Sequence, residues 1–244
     1  MKKIFIIYFL LLIIPLAVFA KQEIISFNLK FGIIKGGEAQ LIISDTIFNG
    51  NKAIHYYLVG RTTGFTDKLF GVNDVYETIV DAETQLPLKV IRNIKEKKYR
   101  WYNETHFYHN IDSINSQRSG WKKVPANLLD IVSVFFYFIN NHVTEKMETS
   151  EKVTLPTFHA DKISDVSVKY IGSQKIETGL GETDCYVLAP QVDKGKLLNR
   201  ADGLKILISK DNRVPVLLEF DMRVGALRAL LKSYKINGVE QITK

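Results

Sequence analysis

The stretch LLDIVSVFFYFINN, Leu128 to Asn141, decides how the rest of the sequence is interpreted. Ten of its fourteen residues are apolar or aromatic, and they do not alternate with polar residues. At about 100° per residue, these side chains cover most of the circumference of a helix. A helix that is apolar on nearly all sides must be buried on nearly all sides, and this one is too short to span a bilayer.

The residues around this stretch predict where the helix begins and ends. Asn127 is a favourable N-cap, and Asp130 would then lie in the first turn, where an acidic side chain is stabilised. With the Asn140-Asn141 pair as a stop, the predicted helix runs from about Asn127 to Asn140. Its β-branched residues also permit a strand, and that alternative stays open.

The remainder of the chain has the period-two pattern of half-buried strands. Apolar and polar residues alternate in GGEAQLIIS (Gly36 to Ser44), DVSVKY (Asp165 to Tyr170) and VPVLLEF (Val214 to Phe220). Turn signals separate about ten such segments. In PLKVIRNI (Pro87 to Ile94) the pattern is broken at Ile91 and Arg92. The prediction is a mainly β protein with a single curved antiparallel sheet, an open or half barrel, wrapping one apolar helix.

The N-terminus has the layout of a secretory signal peptide. Lys2 and Lys3 precede an apolar run, and Val18 and Ala20 are the small residues before a cleavage point. We therefore expect residues 1–20 to be a signal peptide and residues 21–244 to be a single exported β domain, soluble in the periplasm or otherwise outside the cytoplasm. An uncleaved membrane anchor is the alternative, although the apolar run is short for a bilayer.

Charge and cysteine content restrict the possible partners. The formal net charge is +7, and apart from KEKK (Lys95 to Lys98) and the nearby Arg100 the basic residues are scattered along the sequence. A nucleic-acid-binding protein would normally concentrate them on one face. We interpret KEKK as a solvated strand end, with attraction to anionic lipid headgroups as a weaker option. Cys185 is the only cysteine, so we expect a buried structural thiol without a disulfide.

A second apolar segment, GFTDKLFG, lies between two predicted strands. It carries Phe65, Leu69 and Phe70 between Gly64 and Gly71. The favoured interpretation is a loop held under the core by Phe65 and Phe70. The alternative is a mobile apolar flap over a cavity.

Catalytic and metal-binding motifs are not evident in the sequence. His106 and His109 would point to opposite faces of a strand, so we expect no metal site. We also expect no cofactor and no enzymatic activity. Asp74 and Tyr76 share a strand face that Arg61 could reach, which suggests a structural network of the three.

Four segments resemble an exported bacterial family, the domain of unknown function 3108. They are FNLKFGIIKGGEAQL, GRTTGFTDKLFGVNDVYETIVDAETQLPLKVIRNI, LLDIVSVFFYF and RVPVLLEFDMRVGALRALLKSY. The family name carries no activity, so the resemblance implies an exported location and an approximate fold. The expected architecture is similar to that of the periplasmic lipoprotein carriers, and architecture alone does not establish function.

Two functions are compatible with this sequence. The first is a non-catalytic envelope protein that holds a lipid or another apolar small molecule between the sheet and the helix. The alternative is an envelope module with a filled core that binds a protein partner through a sheet edge or the corner from Phe65 to Phe70. The residues predicted to bind the apolar ligand are Phe65, Leu69, Phe70, Leu128, Val132, Phe135, Phe136 and Ile139.

Overall fold

The alternating segments of the sequence form the strands of one curved antiparallel sheet. The computed structural model describes residues 21–144, 149, 151–191, 203–222 and 225–242, so the predicted signal peptide lies outside the described residues. Strands account for most of this part of the chain, and there are sixteen of them rather than the expected ten because several are only two to four residues long. The strands are β1 (Gln22–Phe31), β2 (Ile34–Phe48), β3 (Asn51–Thr62), β4 (Asn73–Asp81), β5 (Pro87–Glu96), β6 (Tyr99–Tyr108), β7 (Ser113–Ser116), β8 (Gly120–Lys123), β9 (Leu129–Asp130), β10 (Lys152–His159), β11 (Lys162–Thr178), β12 (Gly181–Gln191), β13 (Leu204–Ser209), β14 (Pro215–Met222), β15 (Gly225–Ile236) and β16 (Val239–Glu240).

Strands that are consecutive in sequence are also neighbours in the sheet, in one run from β1 to β8 and a second from β9 to β15. Its order is β8-β7-β6-β5-β4-β3-β2-β1-β15-β14-β13-β12-β11-β10-β9, with β16 beside β15. The first and last long strands, β1 and β15, therefore pair in the middle of the sheet. The other neighbours are antiparallel as well, except that β9 runs parallel to β10. The predicted fold class is confirmed, and the sheet is not closed into a barrel.

Cross-strand pairing places one row of side chains on the inner face of the sheet. Tyr56 of β3 lies opposite Thr78 of β4, which lies opposite Val90 of β5. Tyr56 and Thr78 are buried: Tyr56 stacks on Phe136 of the helix that crosses this face, and Thr78 donates a hydrogen bond to Asp130, which precedes that helix. The opposite side chains of the same strands point away from the core.

Two α-helices and a short 3₁₀ helix complete the described part of the chain. They are α1 (Gly64–Phe70), α2 (Ser133–His142) and the 3₁₀ turn His109–Ile111. Helix α2 is the predicted apolar helix, and it buries Ser133, Val134, Phe136, Phe138 and Ile139. The prediction that the sheet wraps this helix is confirmed.

The predicted start of the helix at Asn127 is wrong. Asn127 has a left-handed backbone with φ of 55°, and Leu129 and Asp130 continue as the short strand β9. The helix begins only at Ser133. The Asp130 carboxylate accepts hydrogen bonds from the backbone N–H groups of Val132 (2.9 Å) and Ser133 (3.3 Å). Asp130 thus caps the helix from outside it, because these N–H groups have no partner within the helix.

Candidate functional site

The helix residues predicted to bind an apolar ligand are packed among core side chains. Val132 and Phe136 belong to the largest buried cluster, Ile139 to a second and Leu128 to a third, while Phe135 packs against the first two. The ring of Phe136 stacks on Tyr56 with centroids 4.3 Å apart. Where these two rings meet, the space between helix and sheet is filled by protein.

The other three predicted ligand-binding residues lie on the surface. Phe65, Leu69 and Phe70 are on α1, which has no buried residue, and their exposed fractions are 73%, 44% and 56%. The expectation that Phe65 and Phe70 hold the segment under the core is therefore wrong. The side chain of Thr66 lies where a side chain at Gly36 would point, whereas the apolar side chains of α1 are exposed. The structure consequently does not bring the eight predicted residues into one site.

Helix α1 belongs to a continuous surface at one end of the sheet. This surface, which we call the rim, consists of residues 30–35 in the β1–β2 turn, residues 61–71 around α1, and residues 95–100 in the β5–β6 turn. The backbone N–H of Thr63 donates to the Gly36 carbonyl at 3.1 Å. On the other side of α1, the N–H of Lys97 donates to the Gly71 carbonyl at 3.1 Å. The three turns are thereby fixed next to one another.

The rim combines exposed apolar side chains with an excess of positive charge. Ile33 is 98% exposed and Ile34 63%, and the rings of Phe65 and Phe70 on α1 are exposed as well. Its three segments carry eight Lys and Arg residues against two Asp and Glu residues, a net charge of +6. The Nζ atom of Lys97 lies 5.8 Å from the centroid of the Phe70 ring. Basic residues that are scattered in the sequence are thus gathered at the turns of the meander.

A polar seam forms where the two ends of the sheet approach each other. The hydroxyl of Thr78 on β4 donates to Asp130 at 2.8 Å. Asp161, in the β10–β11 turn, accepts hydrogen bonds from Ser116 at 2.8 Å and Ser119 at 2.7 Å. Beside these contacts lies a cavity of about 20 Å³, which is room for one water molecule.

Three ionisable groups that line this cavity have shifted pKa values, and two of them, Asp130 and His159, are shifted mainly by burial. Burial raises the pKa of the Asp130 carboxyl, against the effect of its hydrogen bonds with Ser133, Val132 and Thr78. Burial, assisted by the charge of Arg92, lowers the pKa of His159 to about 4. His159 is therefore a neutral imidazole at neutral pH, next to the ring of Tyr76. The hydrogen bonds of Asp130 with Val132 and Ser133 hold the start of the helix, and its hydrogen bond with Thr78 joins that start to β4.

The arginine beside Tyr76 is not the one that the sequence suggested. Arg61 lies near Glu38 at 3.6 Å, whereas the Nε of Arg92 donates to the Tyr76 hydroxyl at 3.4 Å. Arg92 also stacks on Trp101, with its guanidinium carbon 4.5 Å from the ring centroid. Sequence reasoning missed this pair, although the break in alternation at Arg92 was the signal of a polar residue on the inner face.

Neither the cysteine thiol nor a cluster of metal ligands provides a reactive site among the described residues. Cys185 is fully buried, as expected, and burial raises the pKa of its thiol to about 11. Its thiolate, the reactive form, is therefore scarce at neutral pH. Within the described ranges, no three His, Cys, Asp or Glu residues cluster closely enough to hold a metal ion. No described helix has both the length and the hydropathy needed to cross a membrane.

Comparison with known families identifies the group of proteins to which this one is related. A family model described as "Protein of unknown function (DUF3108)" matches residues 26–232. The chain belongs to the DUF3108 family. The resemblance inferred from four sequence segments is confirmed. Because the family has no assigned activity, the expectation that this DUF3108 chain is not an enzyme stays a prediction.

A solved structure shares the fold of this DUF3108 protein. It is the crystal structure of a beta-barrel-like protein of the domain of unknown function DUF1849 from Brucella abortus, with a TM-score of 0.55. The identity is 10%, and the match covers 89% of this chain and 97% of that one. At this identity the similarity shows the fold alone. A search of curated proteins gives no match.

Proposed function

We propose that this DUF3108 protein is an exported, non-catalytic envelope protein that docks on an anionic membrane surface through its rim. One observation carries the proposal: the most exposed apolar side chains of the rim stand among basic residues. Proteins that bind at the surface of a bilayer combine buried apolar area with attraction to anionic headgroups.

The apolar part of the rim is larger than an isolated surface residue would explain. Ile33, Ile34, Phe65 and Phe70 are each more than half exposed, and they lie on turns that are hydrogen-bonded to one another. Contiguous exposed apolar surface usually marks an interaction site. Each of these side chains would contribute about 1.5–3 kcal/mol if it were fully buried in the membrane.

The charge of the protein is concentrated on the same surface. The rim has a net charge of +6, whereas residues 21–244 as a whole have +5, from 31 Lys and Arg against 26 Asp and Glu. Lys68, Lys97 and Lys98 form no ion pair within 4.0 Å in the described part of the chain, so their charge is uncompensated. Each basic residue close to an anionic membrane is worth about 1 kcal/mol. Attraction to the headgroups would therefore orient the apolar side chains toward the bilayer.

The N-terminal sequence supports the proposed location. The order of Lys2 and Lys3, an apolar run and a Val-x-Ala ending is typical of exported chains. Export would bring the folded domain to the membrane surfaces of the envelope. The rim, rather than the space between sheet and helix, is the proposed contact, because Phe136 and Tyr56 already fill the interior where they stack.

Vesicle binding tests this proposal. Residues 21–244 are used, so that the apolar segment of residues 1–20 does not insert by itself. We expect binding to phosphatidylcholine vesicles containing about 30 mol% phosphatidylglycerol, weaker binding to phosphatidylcholine alone, and a decrease with salt. The double variant Lys97→Glu/Lys98→Glu should weaken binding at least about tenfold, because two attractive charges become repulsive. Co-sedimentation gives the partition coefficients.

Matched controls come from the opposite end of the sheet. Ile47 is 65% exposed in the region of the β2–β3 turn and Lys52 is exposed beside it, so Ile47→Ser and Lys52→Glu change the same properties away from the rim. Phe65→Ser should weaken binding, and Ile47→Ser should not. Equal binding of the rim variants and the unmodified chain, or equal losses at both ends of the sheet, would refute the proposal.

A further inference from the structure

A groove of about 550 Å³ has no lining residue from α2 and shares only Arg100 with the rim. It is lined by Asn93, Arg100, Trp101, Tyr102, Gln117 and Arg118, and we call it the Trp101 groove. It follows the part of β6 that precedes the pairing of β6 with β7, which begins at Thr105. Its volume is in the range of pockets that hold small organic molecules.

Two guanidinium groups of the groove lack an acidic partner. In the described residues, no carboxylate lies within 4.0 Å of Arg100 or Arg118. Their hydrogen bonds go to backbone carbonyls instead: Arg100 donates to Lys97 and Tyr99, and Arg118 donates to Tyr102 at 3.3 Å. A guanidinium has five N–H donors, so both side chains retain donors for a ligand.

The indole of Trp101 holds this arrangement in place. The guanidinium carbon of Arg118 lies 5.2 Å from its ring centroid, and that of Arg92 lies 4.5 Å from it. Trp101 lines both the groove and the small cavity at the seam, whereas Arg118 lines only the groove and Arg92 only the cavity. The indole therefore separates the two spaces, and stacking restricts the orientation of Arg118 before any ligand arrives.

The nearby carboxylate of Glu104 does not neutralise the positive charge of the groove. The Tyr102 hydroxyl donates to Glu104 at 3.4 Å, but Glu104 already pairs with Lys89 at 2.9 Å and with His106 at 2.9 Å. The amide side chains of Asn93 and Gln117 add neutral donors and acceptors. Two guanidinium groups, two amides and one indole are a suitable set of side chains for binding an oxyanion on a polar molecule.

We propose that the Trp101 groove binds a small organic anion that carries a phosphate or carboxylate group. The guanidinium groups of Arg100 and Arg118 hold the oxyanion, and the indole of Trp101 packs against the body of the molecule. The groove shares Arg100 with the rim, but Trp101 and Arg118, the two residues on which the test below depends, lie outside the rim.

Tryptophan fluorescence provides a direct readout. The chain has two tryptophans, Trp101 and Trp121, so Trp121→Phe leaves Trp101 as the only indole. The purified full-length variant is titrated with inorganic phosphate, citrate, glucose 6-phosphate and, as a neutral comparison, glucose. We expect a saturable change with at least one of the three anions and none with glucose. Which anions bind distinguishes phosphate from carboxylate recognition.

A second substitution tests the role of the arginine. Arg118→Gln in the Trp121→Phe background should raise the dissociation constant at least about tenfold, because a charge-assisted contact is lost. Arg228→Gln is the matched control: Arg228 is exposed and already paired with Glu219. The proposal is overturned if no anion gives a saturable change up to about 10 mM, a concentration that would detect even weak sites, or if Arg118→Gln binds as tightly as the control.

Discussion

The buried carboxylate of Asp130 shows how a single residue links the helix to the sheet. It is 1% exposed, and it accepts hydrogen bonds from Thr78 and from two backbone N–H groups at the start of α2. Burial disfavours the charged form, while these donors favour it. The balance places the pKa of Asp130 above its ordinary value of 3.8.

The raised pKa predicts the sign of a pH effect on stability. A carboxyl whose pKa is higher in the folded state favours folding most below its unfolded pKa, and this contribution is lost as the pH rises through the folded pKa. As the pH rises from the unfolded to the folded pKa of Asp130, the free energy of unfolding of the unmodified chain should therefore fall relative to that of Asp130→Asn. Urea unfolding at a series of pH values measures it. Thr78→Val removes a donor to the carboxylate, so the decrease in the free energy of unfolding should extend to higher pH. If the free energy of unfolding depended on pH in the same way in all three proteins, this interpretation would be contradicted.

At the scale of elements, the two helices have opposite roles. Helix α2 is part of the core, and Phe136 is 8% exposed against Tyr56. Helix α1 contains no buried residue, and its Phe65 is 73% exposed. Phe136→Ala should therefore lower the free energy of unfolding by about 3–5 kcal/mol, the usual cost of removing a buried ring.

The same substitution on α1 is the comparison. Phe65→Ala should change the free energy of unfolding by no more than about 0.5 kcal/mol, as is usual for exposed residues. Denaturant unfolding in solution, without vesicles, measures both values. Similar losses at Phe136 and Phe65 would mean that α1 is part of the folded core, contrary to the description above.

The elements also show which features the sequence could predict. The apolar circumference of α2 and the alternation of the strands follow from local pattern, so both were predictable. The start of α2 was not, because the partner that fixes Asp130 is Thr78, fifty-two residues away. The rim was missed for a similar reason: its charges are distant in sequence, and only the order of the hairpins brings the β1–β2 and β5–β6 turns to the same end of the sheet.

At the scale of the whole molecule, the sheet is open but its two ends are in contact. The β7–β8 hairpin belongs to one end, and the β10–β11 turn with Asp161 belongs to the other. Burial by itself would raise the pKa of Asp161, but hydrogen bonds from Ser119 and Ser116 and the charge of Lys122 outweigh it and lower the pKa. The lowered pKa means that this contact contributes to stability above the unfolded pKa and is lost as the pH falls through the folded one.

Replacing the Asp161 carboxylate should loosen this contact without unfolding the sheet. Asp161 has a left-handed backbone with φ of 64°, which asparagine also tolerates, so Asp161→Asn changes the charge rather than the turn. Loss of the paired carboxylate costs about 1–3 kcal/mol locally. Amide exchange in β7 and β8 should therefore become roughly 5- to 150-fold faster at neutral pH, while β1, which pairs on both sides, should exchange as before. Hydrogen exchange with mass spectrometry resolves the two regions. Uniform acceleration across β1, β7 and β8 would mean that Asp161 stabilises the whole sheet, and unchanged exchange in β7 and β8 would mean that the ends of the sheet are held by other contacts.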